Sequence, residues 1–86
     1  MMTAMELSLY PLGTNNIGAA VGTFISVLRE RGLEISTGPM SSTVYGDSGA
    51  LFGAVSDAYA AACAAGGVVL VIKASNACLP KGISPE

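Results

Sequence analysis

The chain has 86 residues, with four Lys/Arg, six Asp/Glu and no His, so its formal net charge is −2. A chain of this length forms one domain, and we expect an ordered core over residues 4–75 and a loop and tail over 76–86. So few basic residues argue against a nucleic-acid partner, which needs a basic patch. Without His there is no histidine base, no Ser-His-Asp triad and no Cys/His zinc site.

Charged residues make up only 12% of the chain, against about 25% in ordinary soluble domains. A surface with so little charge tends to be covered by a partner, which predicts a homo-oligomer. Two cysteines allow at most one disulfide, so we expect a reduced, cytoplasmic chain. No signal peptide is evident, and the apolar runs fall short of the roughly 20 residues that a membrane span needs.

The first half of the chain predicts two strands that flank a helix. Residues 4–11 alternate apolar and polar side chains, as a half-buried strand does, and residues 13–16 supply a turn and a helix N-cap. Residues 33–37 alternate again. Helical spacing predicts a helix that ends before Gly32, with one apolar stripe: Ile17, Val21, Phe24 and Leu28.

The second half predicts a short strand over 42–46, then a helix capped by Asp47 or Ser48, and a final β-branched strand over 68–74. The helix is expected to bury one stripe: Phe52, Val55, Tyr59 and Ala62. The resulting order, β-α-β-β-α-β, is that of the ferredoxin-like α+β fold. It predicts a four-stranded antiparallel sheet with two helices on one face.

The sheet face opposite the helices, called the open face, carries the residues that favour ligand binding. Alternation places these side chains there: Glu6, Ser8, Tyr10, Glu34, Ser36, Thr43 and Tyr45. The last strand adds either Val69, Val71, Lys73 and Ser75 or the opposite set. Because that strand is apolar on both faces, we expect the open face to pack on a second copy. Taken singly, each of these polar residues is more often a solvated strand residue than a ligand contact. Together, hydroxyls, rings and carboxylates suit a small, flat, polar heterocycle.

Other residues give weaker signals. Residues 46–49 precede a helix and could hold an anion, but Asp47 would repel a phosphate, so N-capping is favoured. Cys63 is expected to be a small buried side chain, and Cys78 lies in a loop without a nearby basic side chain to activate it. Lys73 is expected to pair with Glu6 across two strands.

Three segments, in this order, resemble the YkoF-type thiamin/hydroxymethylpyrimidine-binding domain of the thiamine-binding ferredoxin-like superfamily: ELSLYPLG at 6–13, STGPMSSTVYGD at 36–47 and SNACLP at 75–80. The resemblance extends from Met5 to about Pro80. It implies non-catalytic binding of thiamine or its hydroxymethylpyrimidine moiety, no cofactor, and a link to uptake or salvage of thiamine precursors and their transporter. Two departures stand out: Tyr45 replaces an acidic residue, and Leu79 precedes Pro80 where the family has Cys-Pro.

The resemblance also implies ligand-binding positions on all three segments: Ser8, Tyr10, Thr37, Gly38, Met40, Thr43, Gly46, Asp47, Ser75 and Asn76. Asn76, Ser8 and Thr43 could match an aminopyrimidine, while Asp47 or Tyr10 could hold a thiazolium cation. Paired domains of the family pack their sheets together. A single-copy chain therefore implies a homodimer or homotetramer through the open face.

Two alternatives remain at this point. The chain could be a structural or regulatory homo-oligomerisation module without a small-molecule ligand. It could also be an enzyme that uses Asp47 or Cys78, but the lack of His and of a matched acid/base pair argues against catalysis.

Overall fold

A computed structural model of the chain describes residues 1–38, 41–64 and 66–77. Its elements are, in order, β1 (Met2–Pro11), α1 (Ile17–Glu30), β2 (Ile35–Thr37), β3 (Ser42–Asp47), α2 (Ser48–Cys63) and β4 (Val68–Ser75). The strands form one antiparallel sheet in the order β2-β3-β1-β4, and the helices pack on each other and on one face. The ferredoxin-like α+β prediction is confirmed.

Both ends of α1 are set by local sequence. The Asn16 side chain accepts a hydrogen bond from the Ala19 N–H at 3.3 Å, which satisfies one of the helix's free N–H groups. After the C-cap residue Arg31, Gly32 has a φ of +78°, in the left-handed region that glycine adopts without a steric penalty. The predicted cap and the predicted end are confirmed.

The core lies between the sheet and the two helices. Its largest fully buried side chains come from β1, β3 and both helices: Phe24, Met5, Leu28, Leu51 and Val44. The predicted α1 stripe is only partly buried. Phe24 and Leu28 are inside, whereas Ile17, in the first turn, is 56% exposed.

The predicted stripe of α2 is wrong for its two aromatic residues. Val55 and Ala62 are buried, but Phe52 and Tyr59 are about half exposed. Alanines and one leucine take the buried positions instead: Leu51, Ala54 and Ala58. These small side chains let α2 approach its neighbours closely. The rings of Phe52 and Tyr59 lie instead toward the edge strand β4. Cys63, expected to be buried, is only half-buried.

Neither helix of the described residues is long and apolar enough to span a bilayer.

Candidate functional site

One row of polar side chains crosses all four strands on the open face. The sheet register places Ser36 opposite Thr43, Thr43 opposite Glu6, and Glu6 opposite Lys73. Directly opposed residues have Cβ atoms about 4.5–5.5 Å apart. The Lys73 Nζ lies 3.5 Å from Glu6 Oε1, so the predicted cross-strand pair is confirmed. We call Ser36, Thr43, Glu6 and Lys73 the polar row.

Hydroxyl and aromatic side chains flank the polar row. On one side, Ala4 lies between Tyr45 and Ser75. On the other side, Ser8 faces Val71, and next along the strand Tyr10 faces Val69. The register therefore assigns Val69, Val71, Lys73 and Ser75 to the open face, the first of the two sets considered from sequence. A shallow cleft of about 340 Å³ lies over the row, between Thr43 and Ser75.

A second cleft lies on the helix side, next to the turn between β2 and β3. The β1–β3 ladder stops at the Leu7–Ser42 pair, while the β1–β4 ladder continues to the pair of Pro11 with Val68. The resulting notch has a volume of about 190 Å³, and its walls include Ser8, Phe24, Thr37, Gly38 and Ser41. The Gly38 N–H donates a hydrogen bond to the Ser41 carbonyl at 2.8 Å, across the turn. We call this cleft the β2–β3 notch.

The structure separates the predicted site residues into several places. Four of them share the open face: Ser8, Tyr10, Thr43 and Ser75. Thr37 and Gly38 line the β2–β3 notch, which Ser8 also reaches. Gly46 faces the helices, because a Cβ added to it would meet the Leu33 and Leu51 side chains at 3.6 Å. Asn76 lies at a third cleft, beside Met1 and Phe52, and Met40 is outside the described residues.

Asp47 is engaged at the start of α2. Its Oδ2 accepts a hydrogen bond from the Gly49 N–H at 3.2 Å, and its Oδ1 lies 2.9 Å from the Met1 ammonium. The hydrogen bond and the charge of this ammonium hold the pKa of Asp47 below its ordinary value of 3.8, and the N–H groups of Ala50 and Gly49 act in the same direction. The N-capping prediction is confirmed, and the carboxylate already has a cation.

Three further open-face residues lie next to the predicted ligand-binding positions, although the resemblance did not assign them to the binding site. Glu6 and Ser36 belong to the polar row, and Tyr45 flanks it. Strand alternation had already placed all three on the open face. That alternation was the available signal, whereas the family motifs alone did not single these residues out.

Within the described ranges, no group of three His, Cys, Asp or Glu side chains could hold a metal ion. The pKa of Tyr59 is raised by its hydrogen bond and electrostatic interaction with the Cys63 side chain and by desolvation. Both residues lie on α2, and neither lines the cleft over the polar row or the β2–β3 notch.

The sequence from residue 5 to residue 77 matches the family model for thiamine-binding proteins. The chain belongs to this thiamine-binding protein family. The match runs from the fourth residue of β1 to two residues beyond β4, so it includes the polar row and all of the flanking residues except Ala4. Membership confirms the resemblance, and it indicates a thiamine-related binding role.

Several solved structures share the fold of this chain. A hypothetical protein from Methanocaldococcus jannascii has a TM-score of 0.82 at 22% identity, over 99% of this chain and 87% of that one. A domain of unknown function, DUF77, from Bacillus cereus has a TM-score of 0.77 at 27% identity, over 87% of this chain and 75% of that one. A proposed thiamine biosynthesis/salvage protein from Thermotoga maritima has a TM-score of 0.78 at 14% identity, over 86% of this chain and 82% of that one. No protein with curated annotation gives a significant match.

Proposed function

We propose that this protein binds thiamine or its hydroxymethylpyrimidine moiety in the cytoplasm, without catalysing a reaction, as part of the uptake or salvage of thiamine precursors. The family match over residues 5–77 carries this proposal. The sequence contains no His, so the commonest general base is missing, which favours binding over catalysis. A transporter for thiamine precursors is the expected functional partner.

The ligand is assigned to the polar row. The pyrimidine moiety offers an amine that donates and ring nitrogens that accept. The Glu6 carboxylate can accept from the amine, and the Thr43 and Ser36 hydroxyls can donate to the ring nitrogens. The Glu6–Lys73 ion pair is exposed and long, at 3.5 Å. Such a pair is worth about 0–1 kcal/mol, so a ligand can replace it at little cost.

The thiazolium ring of thiamine carries a positive charge, for which the open face offers two kinds of partner. Glu6 supplies a negative charge in the row, and Tyr10 and Tyr45 supply aromatic faces on either side of it. This assignment gives the charge interaction to Glu6 rather than to Asp47, because the Asp47 carboxylate is occupied by the Met1 ammonium and by the Gly49 N–H.

A second copy packed on the open face would close the shallow cleft over the ligand. Tyr10, Val69 and Val71 are each 44–47% exposed beside the polar row, and they would provide the apolar part of such an interface. This homodimer, or a homotetramer built from it, would supply what tandem domains of the family supply within one chain.

Calorimetric titration with thiamine and, separately, with hydroxymethylpyrimidine tests the proposed function. We expect saturable binding near one ligand per subunit, and ligand at 100 times its Kd should add about 2.7 kcal/mol to the free energy of unfolding. Thr43→Val should weaken binding, whereas the matched control Thr23→Val, on α1, should leave it unchanged. Absence of heat and of any thermal shift with either compound would contradict the proposal and favour a homo-oligomerisation module.

A further inference from the structure

The polar row presents its chemical groups in a fixed order. From one edge of the sheet to the other, the register gives a hydroxyl, a second hydroxyl, a carboxylate and an ammonium: Ser36, Thr43, Glu6 and Lys73. Neighbouring strands lie about 4.8 Å apart, so the backbones at Thr43 and Lys73 are separated by roughly 10 Å, with Glu6 between them. The row can therefore contact three neighbouring groups of one small ligand.

The ammonium of Lys73 is the cationic end of this row. Among the described basic side chains, Arg29 and Arg31 belong to the last turn and the C-cap of α1, and only Lys73 lies on the sheet. Its side chain is 77% exposed, its Nζ lies 3.5 Å from Glu6 Oε1, and it lines the cleft over the row. An exposed pair of this length holds the lysine only weakly, so a ligand can engage its ammonium.

The edge of the pyrimidine ring has its own order of groups. A ring nitrogen, the carbon with the amine and the carbon with the hydroxymethyl group follow one another. The nitrogen accepts a hydrogen bond and the amine donates one, which matches the Thr43 hydroxyl and the Glu6 carboxylate. With these two groups in place, the hydroxymethyl oxygen lies on the side of Lys73. The third position of the ligand therefore meets a positive charge.

We propose, with the proposed function as its basis, that the preferred ligand is the phosphate monoester of hydroxymethylpyrimidine and that Lys73 binds its phosphate. A phosphate monoester carries a charge of about −1.5 to −2 at pH 7. A lysine ammonium has three donors and binds phosphate as a point charge. The ligand amine occupies Glu6 and releases the ammonium, which also offsets the charge of this carboxylate beside the phosphate.

Thiamine differs from the phosphate ester at the position next to Lys73. In thiamine the same carbon carries the thiazolium ring, so a cation takes the place of the anion. Like charges repel at this distance, and opposite charges attract. Lys73 should therefore favour the phosphate ester over the neutral alcohol and disfavour thiamine.

Calorimetric titration of the full chain in a phosphate-free buffer tests this assignment with three ligands: hydroxymethylpyrimidine phosphate, hydroxymethylpyrimidine and thiamine. The phosphate ester should bind about fivefold more tightly than the alcohol, as expected for one exposed charge pair. Lys73→Gln should reduce this ratio to about one, and Lys73→Arg, which keeps the charge, should preserve it. The matched control Arg29→Gln removes the same charge from α1 and should leave the ratio unchanged.

The sign of the change separates a charge interaction from a general disturbance of the site. Lys73→Gln should lower the affinity for the phosphate ester and raise the affinity for thiamine, whereas a disturbed site would weaken both. Weaker binding of both ligands would overturn the inference. So would equal affinities of the wild type for the ester and the alcohol, although binding of the alcohol would still support the proposed function. Absence of binding by all three compounds would contradict the proposed function itself.

Discussion

Two carboxylates near the open face have different surroundings. Glu6 lies in the middle of the sheet, on the polar row, and its partner is an exposed lysine at 3.5 Å. Asp47 lies at the end of β3, where it caps α2 and contacts the Met1 ammonium. A carboxylate with one distant partner is available to a ligand, while one that caps a helix and contacts the ammonium at 2.9 Å contributes to the fold.

Substitution of Glu6 should therefore discriminate between the two ligands. Glu6→Gln keeps the size of the side chain but removes its charge, so thiamine should lose roughly tenfold in affinity, equivalent to about 1.4 kcal/mol. The neutral hydroxymethylpyrimidine should lose less, because it carries no cation. Titration of both ligands into both proteins measures the difference. Equal losses would rule out a charge interaction at Glu6.

The lowered pKa of Asp47 predicts a pH-dependent contribution to stability. Because the folded-state pKa lies below the ordinary 3.8, Asp47 stabilises the fold above pH 3.8, and this contribution is lost as the pH falls through the folded-state value. Asp47→Ala should lower the melting temperature at pH 7, and the difference from wild type should shrink below about pH 3.8. Asp47→Asn should lose less, because asparagine also caps helices. A difference that is constant from pH 7 to pH 3 would contradict this account.

At the scale of elements, α1 was predictable in more detail than α2. In α1 large apolar residues recur on one side, between a capping Asn16 and Gly32, so the sequence predicts its bounds and the burial of Phe24 and Leu28. In α2, alanines and glycines occur all round the helix, and periodicity cannot tell which small residues are buried. The aromatic residues Phe52 and Tyr59 were therefore expected in the core, but alanines occupy most of the buried positions.

The uneven burial of the α1 stripe can be tested with two substitutions. Leu28 is fully buried and Ile17 is 56% exposed, although both belong to the same predicted stripe. Leu28→Ala should lower the free energy of unfolding by about 2–5 kcal/mol, and Ile17→Ala should change it by no more than about 0.5 kcal/mol. Urea unfolding measures both. Similar losses would mean that the first turn of α1 is packed.

Two glycines should respond to alanine in opposite directions. Gly53 is inside α2, and an added Cβ would meet no atom within 4 Å, so Gly53→Ala should stabilise the protein by about 0.5–1 kcal/mol. Gly32 has a φ of +78°, so Gly32→Ala should destabilise it by about 1–2 kcal/mol. Stabilisation by both substitutions would contradict the left-handed end of α1.

At the scale of the whole molecule, the sequence predicted the sheet, its helices and the residues of the open face, because alternation and turn residues are local signals. It predicted one pair of the polar row, Glu6 with Lys73, but neither the rest of the row nor the β2–β3 notch. Both depend on the register between strands, which packing and turn geometry set together. The motif residues Thr43 and Gly46 lie on opposite faces of the sheet, because they are three positions apart on β3 and successive residues of a strand face opposite ways.

The proposed open-face contact predicts the size of the particle. Sheet packing through the open face pairs two chains, so the mass should be at least twice 8.6 kDa. Light scattering at micromolar concentration measures it. A monomer would contradict the contact.

Binding of a thiamine-related ligand on the open face is the central claim, and chemical-shift mapping of the labelled protein during a thiamine titration tests it most directly. We predict saturable shifts of amide signals around the polar row, at Glu6, Ser36, Thr43 and Lys73. Signals from the exposed side of α1, such as Ser26, should stay in place. Shifts confined to the helices, or no shifts at millimolar thiamine, would contradict the account.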